Sequence, residues 1–210
     1  CYFHDNEDGV LTGADATSDV VFEATEFGHN GAGDGQSHNL YIGVVRSFTM
    51  RDCYSHDAVI GHLVKSRALA NYLLYNRITG EGTDDSYEID LPQGGLAVLV
   101  GNVIQQGSAS SNGTILTFNE ESTHNPVQAL YLSHNTFVNN RSGGIFVSMH
   151  GAATTSFDDN LFVGPGTRVS GTVTETHSVV GMTSWFVDPA HFDYRLTAAA
   201  TGAIDAAGPL

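Results

Sequence analysis

Asn102-Val-Ile-Gln-Gln-Gly107, Asn135-Thr-Phe-Val-Asn-Asn140 and Asn160-Leu-Phe-Val-Gly164 are variants of one phrase: an asparagine, a short apolar run, then Asn or Gly. Asn71-Tyr-Leu-Leu-Tyr-Asn76 reads as a fourth copy. Looser copies are Cys1-Tyr-Phe-His-Asp-Asn6, Thr25-Glu-Phe-Gly-His-Asn30 and Cys53-Tyr-Ser-His-Asp-Ala58. The starts fall at 1, 25, 53, 71, 102, 135 and 160. A wandering period with insertions marks stacked repeats, each burying its apolar face against the next. The units alternate apolar and turn residues without helical periodicity, so each is a coil of strands. The chain therefore reads as an all-β protein, a right-handed parallel β-helix (solenoid) of about seven coils. It occupies residues 1–175 and starts in mid-coil, and an irregular capping segment follows over 176–210.

In such a stack Asn71, Asn102, Asn135 and Asn160 are expected to lie one above another at a corner, as a ladder of mutually bonded amides. The strands that follow the phrase align as Gly9–Gly13, Asn39–Gly43, Gly61–Lys65, Ser86–Asp90, Gly113–Thr117 and Gly144–Ser148. Side chains alternate across a strand. This register sends Val10, Leu40, Ile42, Val64, Tyr87, Ile89, Leu116, Ile145 and Val147 inward, with His62 and Thr114 in the same column. It sends Tyr41, Leu63, Glu88, Lys65 and Asp90 outward. A slip of one residue would turn every strand inside out.

The 210 residues suffice for a sizeable core, and 24 glycines with only 5 prolines suit a turn-rich β-protein. A formal charge of −15 with eight Lys and Arg lacks the basic footprint that nucleic acid requires. No apolar run approaches the ~20 residues of a membrane span. The two cysteines occupy equivalent phrase positions two coils apart. Coils lie about 4.8 Å apart, which separates the thiols by about 10 Å, beyond disulfide reach. Both are expected as reduced, buried plugs.

Insertions interrupt the coils at 29–38, 79–86, 106–113 and 119–127. In solenoids such insertions gather on one face, often the binding face. A coil cut at Cys1 would leave unpaired strand edges, for which end-to-end self-association is one remedy.

The coils, with the ending Phe186-Val-Asp-Pro189, Asp193-Tyr-Arg-Leu196 and Ala203-Ile-Asp-Ala-Ala-Gly208, resemble secreted bacterial β-helix proteins of the pectate-lyase-like superfamily. Gly61-His-Leu-Val-Lys65-Ser66, followed a coil later by Ser86-Tyr-Glu-Ile-Asp90, is similar to the alginate lyase and chondroitinase B group. The resemblance implies an extracellular or cell-surface location and a polysaccharide partner, including uronate-containing chains. In that group the lysine of the Lys-Ser pair is the base and an arginine on the next coil assists. Here Asp90 stands in that arginine's place, and Ala58 and Ile60 stand where an acidic calcium ligand is expected.

Lys65 is the only lysine, and Arg67 lies two residues on. Proton abstraction beside a uronate carboxylate needs a base and a cation to absorb enolate charge. On that reading Lys65, Arg67, Tyr41, Glu88 and Asp90 are the catalytic candidates, and His38, Asn39 and Ser66 the substrate-binding ones. A plain Lys65–Asp90 surface ion pair is the simpler account. Glu88 and Asp90, two apart on one strand, also have the separation of an inverting glycosidase pair. No cofactor is required. Asp84, Asp85 and Glu88 form an alternative oxygen-ligand set for Ca2+, and His29, Asp34 and His38 a loop metal set. The alternative to polysaccharide binding or degradation is a non-catalytic surface, filament or spike module that assembles through coil ends.

Overall fold

A computed structural model of the protein describes residues 1–208 of the chain. Three parallel sheets wind in succession around one core. The first sheet stacks Tyr2–His4, Glu26–Gly28, Tyr54–His56, Arg77–Thr79, Val103–Gln106, Thr136–Asn139, Leu161–Val163 and Val179–Gly181. The second stacks Val10–Leu11, Leu40–Ile42, Val64–Ser66, Ile89–Leu91, Thr114–Phe118, Ile145–Met149 and Thr167–Ser170. The third runs from Asp15–Glu23 through Val45–Arg51, Ala70–Leu74, Gly95–Val100, Gln128–Ser133 and Thr154–Asp158 to Glu175–Thr176. Eight strands in one sheet and seven in each of the others put the number of turns close to the expected seven. An antiparallel pair, Phe186–Asp188 with Asp193–Leu196, follows the last coil. Among the described residues no helix is long and apolar enough to cross a membrane.

The corner between the third and first sheets explains the repeated phrase. One residue per coil adopts the left-handed conformation there: Ala24, Asp52, Tyr75, Gly101, His134, Asp159 and His177. The next residue turns into the coil. Where it is Asn, its amide closes the corner. Asn76 Nδ2 donates to Asn102 Oδ1 at 3.0 Å, Asn102 to Asn135 at 2.8 Å, and Asn135 to Asn160 at 3.0 Å. Each of these amides also donates to a carbonyl of the preceding coil: Met50, Leu73, Leu99 and Leu132. Buried amides so paired leave little unsatisfied polarity.

The ladder thus contains Asn76 rather than Asn71. Asn71 sits in the third sheet between Phe48 and Ala97 and bonds only Ala68 O, at 3.2 Å. The true copy is Asn76-Arg-Ile-Thr-Gly80, whose outward Arg77 disguises an otherwise apolar phrase. A second amide row, Asn6–Asn30–Asn39, closes the opposite corner in the early coils. Cys53 is buried as expected, but Cys1 is exposed; both are free thiols.

The core is a column of apolar side chains. Phe27, Phe48, Phe118, Phe137, Phe157 and Phe162 are fully enclosed, and Phe137 stacks on Phe162 at 5.1 Å. In the second sheet the inward positions Leu40, Ile42, Val64, Ile89, Leu116 and Val147 are buried as the alternation requires. Leu63, Glu88, Ile115 and Phe146 are buried too, against the expectation that this column faces solvent. Burial alternates in Leu40–Ile42 and Val64–Ser66, but Asp90, Thr117 and Ser148, expected to face solvent, are buried with their neighbours, so the Lys65–Asp90 pair is largely enclosed rather than a surface pair.

Candidate functional site

The outer surface of the second sheet brings together Tyr41, the single lysine and Arg67. Tyr41 pairs with Lys65 and Lys65 with Asp90 in register. This places Tyr41, rather than Gly43, beside the lysine, a shift of two residues that leaves the outward face unchanged. Lys65 Nζ lies 3.0 Å from Asp90 Oδ2 and 5.6 Å from the Tyr41 ring centre, and Arg67 Cζ lies 5.0 Å from the same centre. The Arg67 guanidinium donates to the Tyr41 hydroxyl.

A ladder of rings borders these cations. His38 stacks on His62 at 4.4 Å, and His62 on Tyr87 at 5.1 Å. The His62 N–H donates to His38 Nδ1 (3.0 Å) and the Tyr87 N–H to His62 Nδ1 (3.2 Å). A backbone N–H can only donate, so each Nδ1 carries a lone pair and each neutral ring its proton on Nε2. His62 Nε2 lies 3.5 Å from Asp90 Oδ2. Burial, with Lys65 and other positive groups adding to it, pushes His38 down to about 4; burial takes His62 to about 2. Both rings are neutral above pH ~5. Asp90 is raised to about 6 by burial, which outweighs the opposing pull of Lys65.

The insertions frame this surface. The segments 29–38, 79–86 and 106–113 leave the first sheet for the second, and 119–127 leaves the second for the third. The last one folds back over the face. Glu121 takes the Arg67 guanidinium in a two-point grip, with Nε to Oε2 at 3.2 Å and the terminal nitrogen to Oε1, and Gln93 Nε2 reaches Oε2 at 3.3 Å. Glu120 accepts from the Tyr87 hydroxyl at 3.3 Å and from Thr117 at 3.1 Å. Arg67 holds Glu121 below the usual carboxylate range.

The structure therefore brings together His38, Tyr41, Lys65, Arg67 and Asp90. It separates Glu88, Asn39 and Ser66 from them. Glu88 is fully enclosed inside the coil, so it is not the outward partner of Asp90 that strict alternation suggests. Asn39 is buried and spends its amide on Phe27 O, His56 O and Ser55 Oγ. Ser66 is buried, its hydroxyl accepting from the Ala68 N–H. The proposed Asp84–Asp85–Glu88 set divides: Asp84 is exposed, whereas Asp85 and Glu88 form an enclosed pair.

That pair has its own chemistry. As two carboxylates, Asp85 Oδ1 and Oδ2 and Glu88 Oε1 have no donor; Glu88 Oε2 accepts only from Gln106 Nε2, at 3.3 Å. The two groups face each other at hydrogen-bonding range, so one shared proton resolves the conflict. Burial raises Asp85 to about 7 and Glu88 well above its ordinary value. Gly80 leaves room for the pair: a Cβ there would lie 2.3 Å from Asp85 Oδ2.

Three participants were not picked out from the sequence as members of this face: His62 and Tyr87, which strict alternation sends inward but which line it here, and Glu121. The first two had a signal, since His38, His62 and Tyr87 recur at intervals of 24 and 25 residues, one coil each. Glu121 had none, because a loop's fold-back leaves no period. Comparison with protein-family models, with curated proteins and with solved structures returns no match.

Proposed function

We propose that the outer face of the second sheet binds an acidic polysaccharide, with a uronate carboxylate seated on Arg67 and sugar rings laid against the part-exposed Tyr41 and Tyr87, the latter backed by the buried His38–His62 stack. The observation that carries this reading is the grip of Arg67 on Glu121. It supports a seat with the fork geometry for a carboxylate, between Tyr41 and the only lysine, on a chain otherwise strongly acidic. The part-exposed tyrosine rings give sugars apolar contact, and the lysine and arginine give the charge preference. Glu121 stands where the guest carboxylate would sit, so binding displaces it. Lys65, engaged by Asp90, serves recognition. For elimination chemistry, the Tyr41 hydroxyl beside Arg67 is the nearest candidate proton carrier.

Affinity electrophoresis through gels containing alginate, polygalacturonate, chondroitin or neutral dextran tests the proposal. A uronate polymer should retard the protein and dextran should not. Arg67→Ala and Lys65→Ala should each weaken retention about tenfold, equivalent to about 1.4 kcal/mol. No retardation by any uronate polymer, or retention unchanged in both variants, overturns it. Ultraviolet absorbance of unsaturated uronate in the same incubations reports whether binding leads to cleavage.

A further inference from the structure

A second chemical cluster lies on the first sheet, away from this face. Glu26–Gly28 pairs with Tyr54–His56, so that Gly28 lies opposite His56, and His29 and Asp57 follow at the next position of each coil. The His56 ring folds over Gly28, where an added Cβ would meet Nε2 at 2.5 Å. Glycine is thus required for the imidazole to lie in this place. The ring is almost enclosed, stacked on Tyr54 at 4.1 Å, and meets the His29 ring edge-on at 5.4 Å. Its Nδ1 lies 2.7 Å from Asp57 Oδ2 and its Nε2 3.2 Å from Glu26 Oε1. One donor atom each from His29, His56 and Asp57 lies within 4.8 Å of the others.

From this geometry we infer a binding site for a first-row divalent transition ion of the zinc type, held by His29, His56 and Asp57 across two neighbouring coils. Two imidazoles and one carboxylate form a donor set suited to zinc, and imidazole nitrogen disfavours calcium and magnesium. Zinc bonds of about 2.0–2.2 Å need donors roughly 3.3–3.5 Å apart in a tetrahedron. The set reaches that spacing when the exposed His29 turns inward and the 2.7 Å His56–Asp57 contact opens by about 0.6 Å. Glu26, on the opposite His56 ring nitrogen Nε2, orients the imidazole with Nδ1 toward Asp57, and the fourth position is left to water. The sequence had suggested His29 with Asp34 and His38. In the structure Asp34 is instead occupied by the Ser37 hydroxyl and the N–H groups of Gln36 and Ser37, and His38 belongs to the ring ladder.

Because the ligands come from separate coils, an ion here would clamp one coil to the next, and its binding would raise the unfolding temperature with the logarithm of free ion concentration above Kd. The test uses untagged, chelator-treated protein titrated with Zn2+ against a chromophoric chelator. Parallel Co2+ spectra and thermal unfolding are recorded with and without Zn2+. One equivalent of zinc, visible cobalt bands of low coordination number and a higher unfolding midpoint are expected. His29→Gln, on an exposed side chain, should abolish all three, while His134→Gln retains them. His134, with Asp159 at 3.8 Å, is the control for adventitious histidine binding. Absence of uptake, uptake unchanged in His29→Gln, or equal loss in His134→Gln overturns the assignment.

Discussion

The residues with most leverage on pH behaviour are Asp85 and Glu88. A carboxyl raised above its unfolded value keeps its proton in the native state after the unfolded chain has lost it. Its stabilising contribution is complete below the unfolded value and is lost as pH rises through the native one. For Asp85 that window runs from its ordinary 3.8 to about 7. His38 and His62 act in the opposite sense: depressed below 6.5, they cost stability as pH falls from there toward 4 and beyond. The two trends overlap, so the difference between variant and wild type is the clean measurement. Asp85→Asn should gain little below pH ~4 and reach a stabilisation of about 1–3 kcal/mol at pH 8, where wild type must bury charge. Urea unfolding at several pH values checks this; a pH-independent difference would contradict the shared proton. Glu121→Gln belongs to the same scale. Weakening the internal occupant of Arg67 should tighten uronate binding several-fold at unchanged fold stability, read by the same gel assay.

For a single corner, the decisive contrast is between two buried asparagines. Asn102 accepts from the Asn76 N–H and Nδ2 and donates to Leu73 O and Asn135 Oδ1. Asn102→Ala strands several of these groups and should cost about 3–5 kcal/mol. Asn71→Ala, losing one bond and relieving an unpaired Oδ1, should cost about 1 kcal/mol or less. Chemical denaturation of both decides between them, and equal losses would undo the ladder assignment. The left-handed column offers a gain: Ala24, at φ 45, carries strain that Ala24→Gly removes, for about 1 kcal/mol in stability. The corner also shows what the sequence made legible. Strand-forming runs after each asparagine could be read because burial imposes alternation and the coil imposes a period. The choice between Asn71 and Asn76 could not, because it depends on which preceding residue, Ala70 or Tyr75, takes the left-handed turn. Glu88 was misplaced for a related reason, since a bend enclosing consecutive columns breaks a strict two-residue rule.

At the scale of the whole molecule, local contacts between neighbouring coils dominate, and charge is what acts globally. A net charge of −15 on a rod-shaped stack repels itself. Raising salt from ~10 to ~150 mM should therefore raise the unfolding midpoint measurably, as screening shortens to about 8 Å. It should also weaken retention by uronate polymers, because the Lys65–Arg67 attraction is screened as well. Thermal scans and salt-graded gels read the two effects independently. The grouping of insertions around one sheet was visible as interruptions of the period. Their fold-back over Arg67 was not, since long-range loop contacts leave no trace in a linear pattern.

The amide row has a direction. The side-chain nitrogens of Asn76, Asn102 and Asn135 each hand a hydrogen to the amide oxygen of the following coil, and the series stops at Asn160, whose backbone N–H meets the Ser178 hydroxyl at 3.3 Å. A one-way series of dipoles strengthens with each member added in the same sense. Its terminus is therefore a growth point: Ser178→Asn would supply the acceptor that the spare hydrogen of Asn160 lacks, and an engineered array could be lengthened rung by rung from there.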